Sequence, residues 1–261
     1  MIDPRAIIDP GAKLGENVRV GPWTIVGADV EIGDNCDIAS HVILKGPTRI
    51  GSHNRIYQFA TVGEDTPAFA YQGEKTWLEI GDHNVIREGV TIHRGTAQDQ
   101  SVTRIGDHNL LMAYVHVGHD CVLGDHIIMV NNSSVSGHCD VGDWAIISGY
   151  SGLPQFRSVG AHAFVGGMSL VLKDVPAFVS VDGNPAGAVG INVEGMRRRG
   201  FSKTDIEAVR SAYRTIYRKG LLLKEALAEL EQPAAEVPAV AVFVESVKAS
   251  RNGIMRERNR G

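Results

Sequence analysis

Aliphatic residues return at every sixth position along the chain: Ile2, Ile8, Leu14, Val20, Val26, Ile32, Ile38, Leu44, Ile50, Ile56 and Val62. The beat resumes at Ile80, Ile86 and Ile92, and again from Ile105 in steps of six to Val171. A helix would repeat at about 3.6 residues and a plain half-buried strand at about 2. Six residues suit one short strand and one turn, with the aliphatic pointing inward. The glycine that often follows it, as in Leu14-Gly15, Ile50-Gly51 and Leu123-Gly124, is expected to form the corner. Three such units make a triangular coil, and successive coils stack at strand spacing, ~4.8 Å. The pattern predicts a parallel β-helix of hexapeptide repeats with about nine or ten coils up to roughly Asp174.

Two segments lose the beat: residues 63–79 (GEDTPAFAYQGEKTWLE) and residues 93–104 (HRGTAQDQSVTR). Both are expected to be loops protruding from coil corners. After Pro185 the period ends and helical signals begin. Ser202 and Asp205 form an N-terminal capping signature. Ile206, Val209, Tyr213, Ile216 and Tyr217 mark an apolar helix face, and Gly220 can stop that helix. LLLKEALAELEQ, ending before Pro233, and AVAVFVESVKAS read as two further helices. The expected division is a mainly β domain over 1–185, with loops at 63–79 and 93–104, and a small α-helical domain over 186–261.

Phase separates ordinary histidines from unusual ones. His41, His53, His83, His108, His126, His138 and His162 each stand three residues after an inward aliphatic, at a corner, where solvent-exposed turn histidines are expected. His93, His116 and His119 fall outside that phase. His119 is followed by Asp120, and His138 comes 19 residues after it, on the adjacent coil. A histidine with an aspartate beside it suits a general base, since the carboxylate can fix the ring's tautomer. No serine or cysteine nucleophile stands beside the pair, which favours direct proton removal from a substrate hydroxyl. A zinc site and a polar contact between subunits are the alternatives. Cys36, Cys121 and Cys139 share one phase with small residues, so buried packing is expected of them.

Composition narrows the field only slightly. A net charge of −4 does not suit a nucleic-acid binder. No apolar run is long enough to span a membrane. The N-terminal stretch lacks the pattern of a secretion signal, and three cysteines point to a reducing compartment.

At HVGHDC, TIHRGT, VSGHCDVGDWAIISG and GINVEGMRRRGFS the chain resembles the acyl-carrier-protein-dependent UDP-N-acetylglucosamine O-acyltransferases, which begin lipid A synthesis. The resemblance covers essentially the whole chain. It implies a left-handed β-helix, a cytoplasmic homotrimer with sites between subunits, and transfer of an (R)-3-hydroxyacyl chain from acyl carrier protein to the sugar 3-hydroxyl. It implies no metal and no cofactor beyond the carrier thioester. By position it makes His119 the base, Asp120 its orienting carboxylate and Gly137 the amide that stabilises the oxyanion. His93, His116, His138 and Gln155 become substrate contacts, Asn192, Glu194, Arg198 and Arg199 become nucleotide and carrier contacts, and Gly167 limits chain length beside Met168.

Three positions depart from the family pattern. Its usual Asp-Leu-Lys-Tyr reads Ala68-Phe69-Ala70-Tyr71 here, and its His-Gln-Phe reads Pro154-Gln155-Phe156. These changes keep two alternatives in view: acylation of another nucleotide sugar or amino sugar, and a non-catalytic trimer that binds acyl carrier protein. Arg210, Arg214 and Arg218, spaced by four after Arg197, Arg198, Arg199 and Lys203, are expected to form a basic stripe that docks the acidic carrier.

Overall fold

The computed structural model describes residues 1–69 and 71–257. The chain winds as a left-handed parallel β-helix whose two- to five-residue strands stack into three sheets. The first face runs from Ile7–Ile8 to Gly152–Leu153 and the second from Lys13–Leu14 to Ser158–Val159, with eight strands each. The third starts at Arg19–Val20 and has ten, the last two being Val179–Asp182 and its antiparallel partner Gly187–Ile191. In-register pairs such as Ile7 with Ile25 and Val117 with Val135 fix the coil at 18 residues. One aliphatic per strand points into the prism, and this interior row is almost completely dry.

With the isolated bridges Ile2–Val20, Gly152–Leu170 and Val159–Val175 each face has nine levels up to Val175, in line with the count of nine or ten, although the two insertions absorb about one coil of sequence. Val62 pairs with Ile92, and Ile92 with Val117, spacings longer than 18 residues. The insertions are also shorter than their loss of rhythm suggested. Thr61–Glu64 and Trp77–Ile80 are strands that reach into residues 63–79. Thr91–His93 and Val102–Ile105 likewise bound the second insertion. Trp77–Ile80 keeps full register with Val102–Ile105, so backbone pairing with the next coil makes strand of residues that carry no sixfold mark.

The corner glycines have a different job from the one expected. The left-handed residue stands three places after the inward aliphatic and is mostly Asn, His or an aromatic, as at Asn35 (φ 58°), His53 (φ 60°) and Tyr114 (φ 59°). The glycine directly after the aliphatic is needed because the next coil lies against it. A Cβ on Gly33 would meet the Gly51 carbonyl carbon at 2.7 Å, and one on Gly81 would meet the Gly106 carbonyl oxygen at 2.9 Å. The corner histidines are not isolated turn residues either. His53, His83, His108 and His126 stack in sequence at 4.6, 4.8 and 4.9 Å between ring centroids, and the column continues through Trp144, His162 and Phe178. Cys36, Cys121 and Cys139 are buried free thiols, and Cys121 Sγ donates to the Ser136 carbonyl at 3.0 Å.

The sheet extends past residue 185 to Ile191, and the helical part begins at α1 (Val193–Arg198). It continues with α2 (Lys203–Arg218), α3 (Leu223–Glu229), α4 (Glu231–Glu236) and α5 (Pro238–Lys248). Ser202 and Asp205 cap α2 reciprocally, and Ile206, Val209, Tyr213 and Ile216 are buried, with Tyr217 half-buried. Pro233 does not end a helix. It lies in the first turn of α4, where a missing N–H costs nothing. Asp174 clamps the tail to the last coil: its carboxylate accepts from Ser158 N, Ser250 Oγ, Arg251 N and Asn252 N at 2.8–3.1 Å.

Gly33→Ala is expected to lower the free energy of unfolding by about 1–3 kcal/mol, because the neighbouring coil's backbone cannot yield. His53→Asn, which keeps a residue tolerant of positive φ, is expected to change it by less than about 0.5 kcal/mol. Urea denaturation of the two variants beside the parent measures both.

Candidate functional site

The corner between the first and second faces carries the cluster. Asp120 holds the left-handed position at φ 57°, and its N–H donates to Thr103 Oγ1 at 2.8 Å. Its buried carboxylate accepts from His119 Nδ1 at 2.9 Å, from Thr96 N at 3.0 Å and from Thr96 Oγ1 at 2.7 Å. Burial alone would raise this carboxyl's pKa, but the hydrogen bonds from His119 and Thr96 outweigh it and hold the carboxyl below the usual range. The anion therefore keeps the Nδ1 proton on His119 and leaves Nε2 to accept a proton.

The His119 ring lies across the backbone of the next coil. A Cβ on Gly137 would come within 2.6 Å of Nε2 and 2.5 Å of Cε1, so only glycine admits the ring there. The Gly137 N–H is also open. Where the third face begins, the matching amides of several coils are taken by a carboxylate from the next: Glu16 N donates to Asp34, Ser52 N to Asp82, Asp107 N to Asp125 and Asp125 N to Asp143, while Asp34 N donates to Ser52 Oγ. At the His119 corner that ladder position is filled by His119, Gly137 and Gln155 instead. Among the described residues the Gly137 amide has no acceptor, like the His119 and Gln155 amides of the same ladder.

The other histidines gather around this pair. The His138 ring meets His119 edge to face at 4.7 Å, lies flat on Phe156 at 4.4 Å, and places Nδ1 2.5 Å from Asp99 Oδ2. His116 Nδ1 is 2.8 Å from Thr91 Oγ1, and burial followed by the nearby His119 lowers its pKa. His93 meets His116 edge to face at 5.1 Å, and its Nδ1 has no partner among the described residues. Burial, then the neighbouring His116, lowers the His93 pKa to about 4. Both rings are thus held neutral near pH 7. The ligand atoms of His119, Asp120 and His138 lie within 4.8 Å of one another, close enough for a metal ion to draw together. In this arrangement a carboxylate already engages Nδ1 of each ring, which leaves Nε2 of each as the nitrogen open to a ligand.

Six of the expected site residues therefore meet: His93, His116, His119, Asp120, Gly137 and His138. Gln155 follows one coil on, exposed at the same corner. The remainder do not converge with them in one chain. Gly167 is exposed at the corner between the third and first faces. Arg199 lies over Trp144 at 5.3 Å and near His162, at the corner between the second and third faces. Burial, then Arg199, lowers the His162 pKa to about 4, so His162 is not an ordinary exposed corner histidine. Asn192 Oδ1 caps α1 through Gly195 N, and its Nδ2 donates to the His162 carbonyl, so a nucleotide would have to share groups already in use. Glu194 pairs with Arg198 at 2.9 Å. The basic stripe is laced with acids: Arg210 and Arg214 pair with Glu207, and Arg218 with Glu257. It carries less net charge than its sequence suggested.

Sequence reasoning missed Thr96, Thr103 and Asp99, which hold the two histidine pairs, and Arg94. The Arg94 guanidinium binds Gly63 O, Asp65 and Tyr71, joining the two insertions. The signal for Arg94 and Thr96 was their place within three residues of His93. Ala68 lies in the first insertion and Pro154 at the His119 corner, where its carbonyl accepts from Cys139 Sγ. Ala70 lies outside the described residues. The first insertion's lysine, Lys75, pairs with Asp29 at 3.4 Å.

A triangular coil of hexapeptides with a histidine base at one corner defines the class of hexapeptide-repeat acyltransferases, and a profile described as bacterial transferase hexapeptide (six repeats) matches residues 11–46. A second, UDP N-acetylglucosamine O-acyltransferase, Domain 2, matches residues 174–255. The acyl-[acyl-carrier-protein]–UDP-N-acetylglucosamine O-acyltransferase of Stutzerimonas stutzeri is 62% identical over 98% of this chain and 99% of its own. That of Saccharophagus degradans is 59% identical over the same shares. The solved UDP-N-acetylglucosamine acyltransferase of Francisella novicida superposes with a TM-score of 0.97 at 40% identity, covering 99% of this chain and 95% of that one. The corresponding Acinetobacter baumannii structure gives 0.95 at 47% identity, over 98% and 99%. The chain belongs to the acyl-[acyl-carrier-protein]–UDP-N-acetylglucosamine O-acyltransferase family.

The pH dependence of stability follows from His93 and His162. Both have folded pKa values near 4, below the ~6.5 of an unfolded histidine, so between these values the unfolded chain binds more protons. Stability is expected to fall as pH drops from about 6.5 towards 4. Melting temperatures measured across that window should show a shallower slope for His93→Gln than for the parent.

Proposed function

We propose that the chain transfers an (R)-3-hydroxyacyl group from acyl carrier protein to the 3-hydroxyl of UDP-N-acetylglucosamine, the first step of lipid A biosynthesis, with His119 as general base. The observation that carries this reading is the His119–Asp120 pair lying against an open Gly137 amide. His119 Nε2 removes the sugar hydroxyl proton as that oxygen attacks the thioester carbonyl carbon. The Gly137 N–H donates to the oxygen of the tetrahedral intermediate, where a preorganised donor has the largest effect. Collapse breaks the C–S bond, and the proton held by His119 passes to the departing thiol. Asp120 stabilises the imidazolium between the two transfers. No group outside the protein and the carrier thioester is required.

His93, His116, His138 and Gln155 contact the sugar and acyl groups in this reading, while Gly167, Asn192, Glu194, Arg198 and Arg199 serve from elsewhere. These two sets occupy different corners of the triangle, so one chain cannot bring them together. A homotrimer, in which one subunit's corner faces its neighbour's, can. The third face supports this arrangement, since its outward positions form an apolar row of Val85, Leu110, Ile128, Ile146 and Phe164 that remains only half-buried in one chain. The intact base, carboxylate and amide weigh against a trimer that only binds the carrier. Among the described residues no helix is long and apolar enough to cross a membrane, which is compatible with a cytoplasmic enzyme.

His119→Ala is expected to lower kcat by about 10²–10⁴-fold with the fold intact. The assay uses acylated carrier protein and UDP-N-acetylglucosamine, with circular dichroism as the check on folding. Near-parental turnover would remove His119 from the mechanism.

A further inference from the structure

The second insertion holds two histidines, and the acyl-transfer chemistry proposed above uses only one of its anchors. Thr96 binds the Asp120 carboxylate that orients His119. Three residues on, Asp99 turns back over the same corner and places its carboxylate against His138 Nδ1 at 2.5 Å. The turn is tight, with both Asp99 N and Ser101 N donating to the Thr96 carbonyl. The His138 ring is held by three contacts: Asp99 at Nδ1, Phe156 stacked on one side at 4.4 Å with an interplanar angle of 5°, and His119 edge to face at 4.7 Å. Asp120 Oδ2 is 4.0 Å from His138 Nδ1, so Asp99 is the nearer acceptor. The Asp99 side chain is 38% exposed and that of His138 14%, so solvent can compete for the carboxylate more readily than for the ring.

We propose that Asp99 is a positioning residue: it accepts the Nδ1 proton of His138 and locks that ring against His119, leaving Nε2 to the substrate. The site then contains two histidine–carboxylate pairs, set edge to face and anchored by one loop. A carboxylate on one ring nitrogen decides which tautomer the neutral imidazole adopts. Without Asp99, His138 can pivot on Phe156 and present either nitrogen. His138 therefore acts on the bound substrate, and Asp99 acts through His138.

Three variants test this in the full-length enzyme, assayed with acylated carrier protein and UDP-N-acetylglucosamine. Asp99→Ala is expected to lower kcat by about tenfold, the middle of the range for groups in contact, with KM for the sugar nucleotide changed less than about twofold. Asp99→Glu is expected to restore most of the loss, since the exposed loop can take up the extra methylene. In a His138→Ala background, Asp99→Ala should cost no more than about twofold further, because its target is gone. Losses that multiply would overturn the proposal and make Asp99 a simple brace for the loop. Histidine ¹⁵N spectra provide a readout independent of turnover. The parent should show His138 as the Nδ1–H tautomer, and Asp99→Ala should shift it towards a mixture. An unchanged tautomer would also overturn the proposal. Activity retained in His119→Ala would remove the base assignment and leave the spectra to decide Asp99.

Discussion

Every feature of this molecule depends on the hydrogen bonding of one coil's backbone to the next in fixed register. Val117 over Ile92 and Val135 over Val117 leave each side chain with a defined neighbour above and below. A parallel ladder tolerates no slip, because a shift of one residue would turn the inward aliphatics out to solvent. The register therefore also fixes the columns at the corners: stacked imidazoles at one, carboxylate-to-amide bonds beside them, and small residues or thiols inside. Close stacking explains most of the glycines after the aliphatics: Gly33, Gly51, Gly118 and Gly160, for example, face backbone at under 3 Å from a notional Cβ. The scaffold is rigid for the same reason, as an acyl-transfer site needs.

The site is an interruption of that regularity. At the corner where the third face begins, Asp125 takes the Asp107 amide and Asp143 takes the Asp125 amide. At the His119 corner the same ladder position holds a histidine, a glycine and a glutamine. With no carboxylate in this ladder, the amides of His119, Gly137 and Gln155 have no acceptor among the described residues, and the His119 ring lies against Gly137. The insertion at 94–101 then supplies what the coil cannot, namely hydroxyl, amide and carboxylate groups that reach across to fix the rings.

This division explains what could be read from the sequence. The coil was legible because a six-residue aliphatic beat has few physical solutions, and His116 and His119 stood out because they broke phase. The buried thiols followed from the same phase. Thr96, Thr103 and Asp99 were not legible, since no period governs an insertion and nothing local says that Asp99 turns back to His138. The role of glycine was misplaced for a related reason: a close approach between residues 18 apart leaves no local mark, whereas a tight corner is a familiar local use of glycine. Helix α1 was missed because its six residues carry too short an apolar face to register as a period. The pairing of Arg210, Arg214 and Arg218 with Glu207 and Glu257 was likewise invisible until the tail was folded.

The central claim is that a working site needs residues from different corners of the triangle, and therefore from more than one chain. Mixing two inactive enzymes tests it most directly. One is His119→Ala, and the other lacks the side chains of Arg198 and Arg199. Each pure oligomer has only defective sites, but a mixed oligomer contains some clefts in which an intact His119 corner faces an intact α1. Acyl transfer is expected to reappear on subunit exchange, in proportion to the mixed species resolved by native mass spectrometry. Mixed oligomers that form yet stay inactive would contradict the account and confine the site to a single chain.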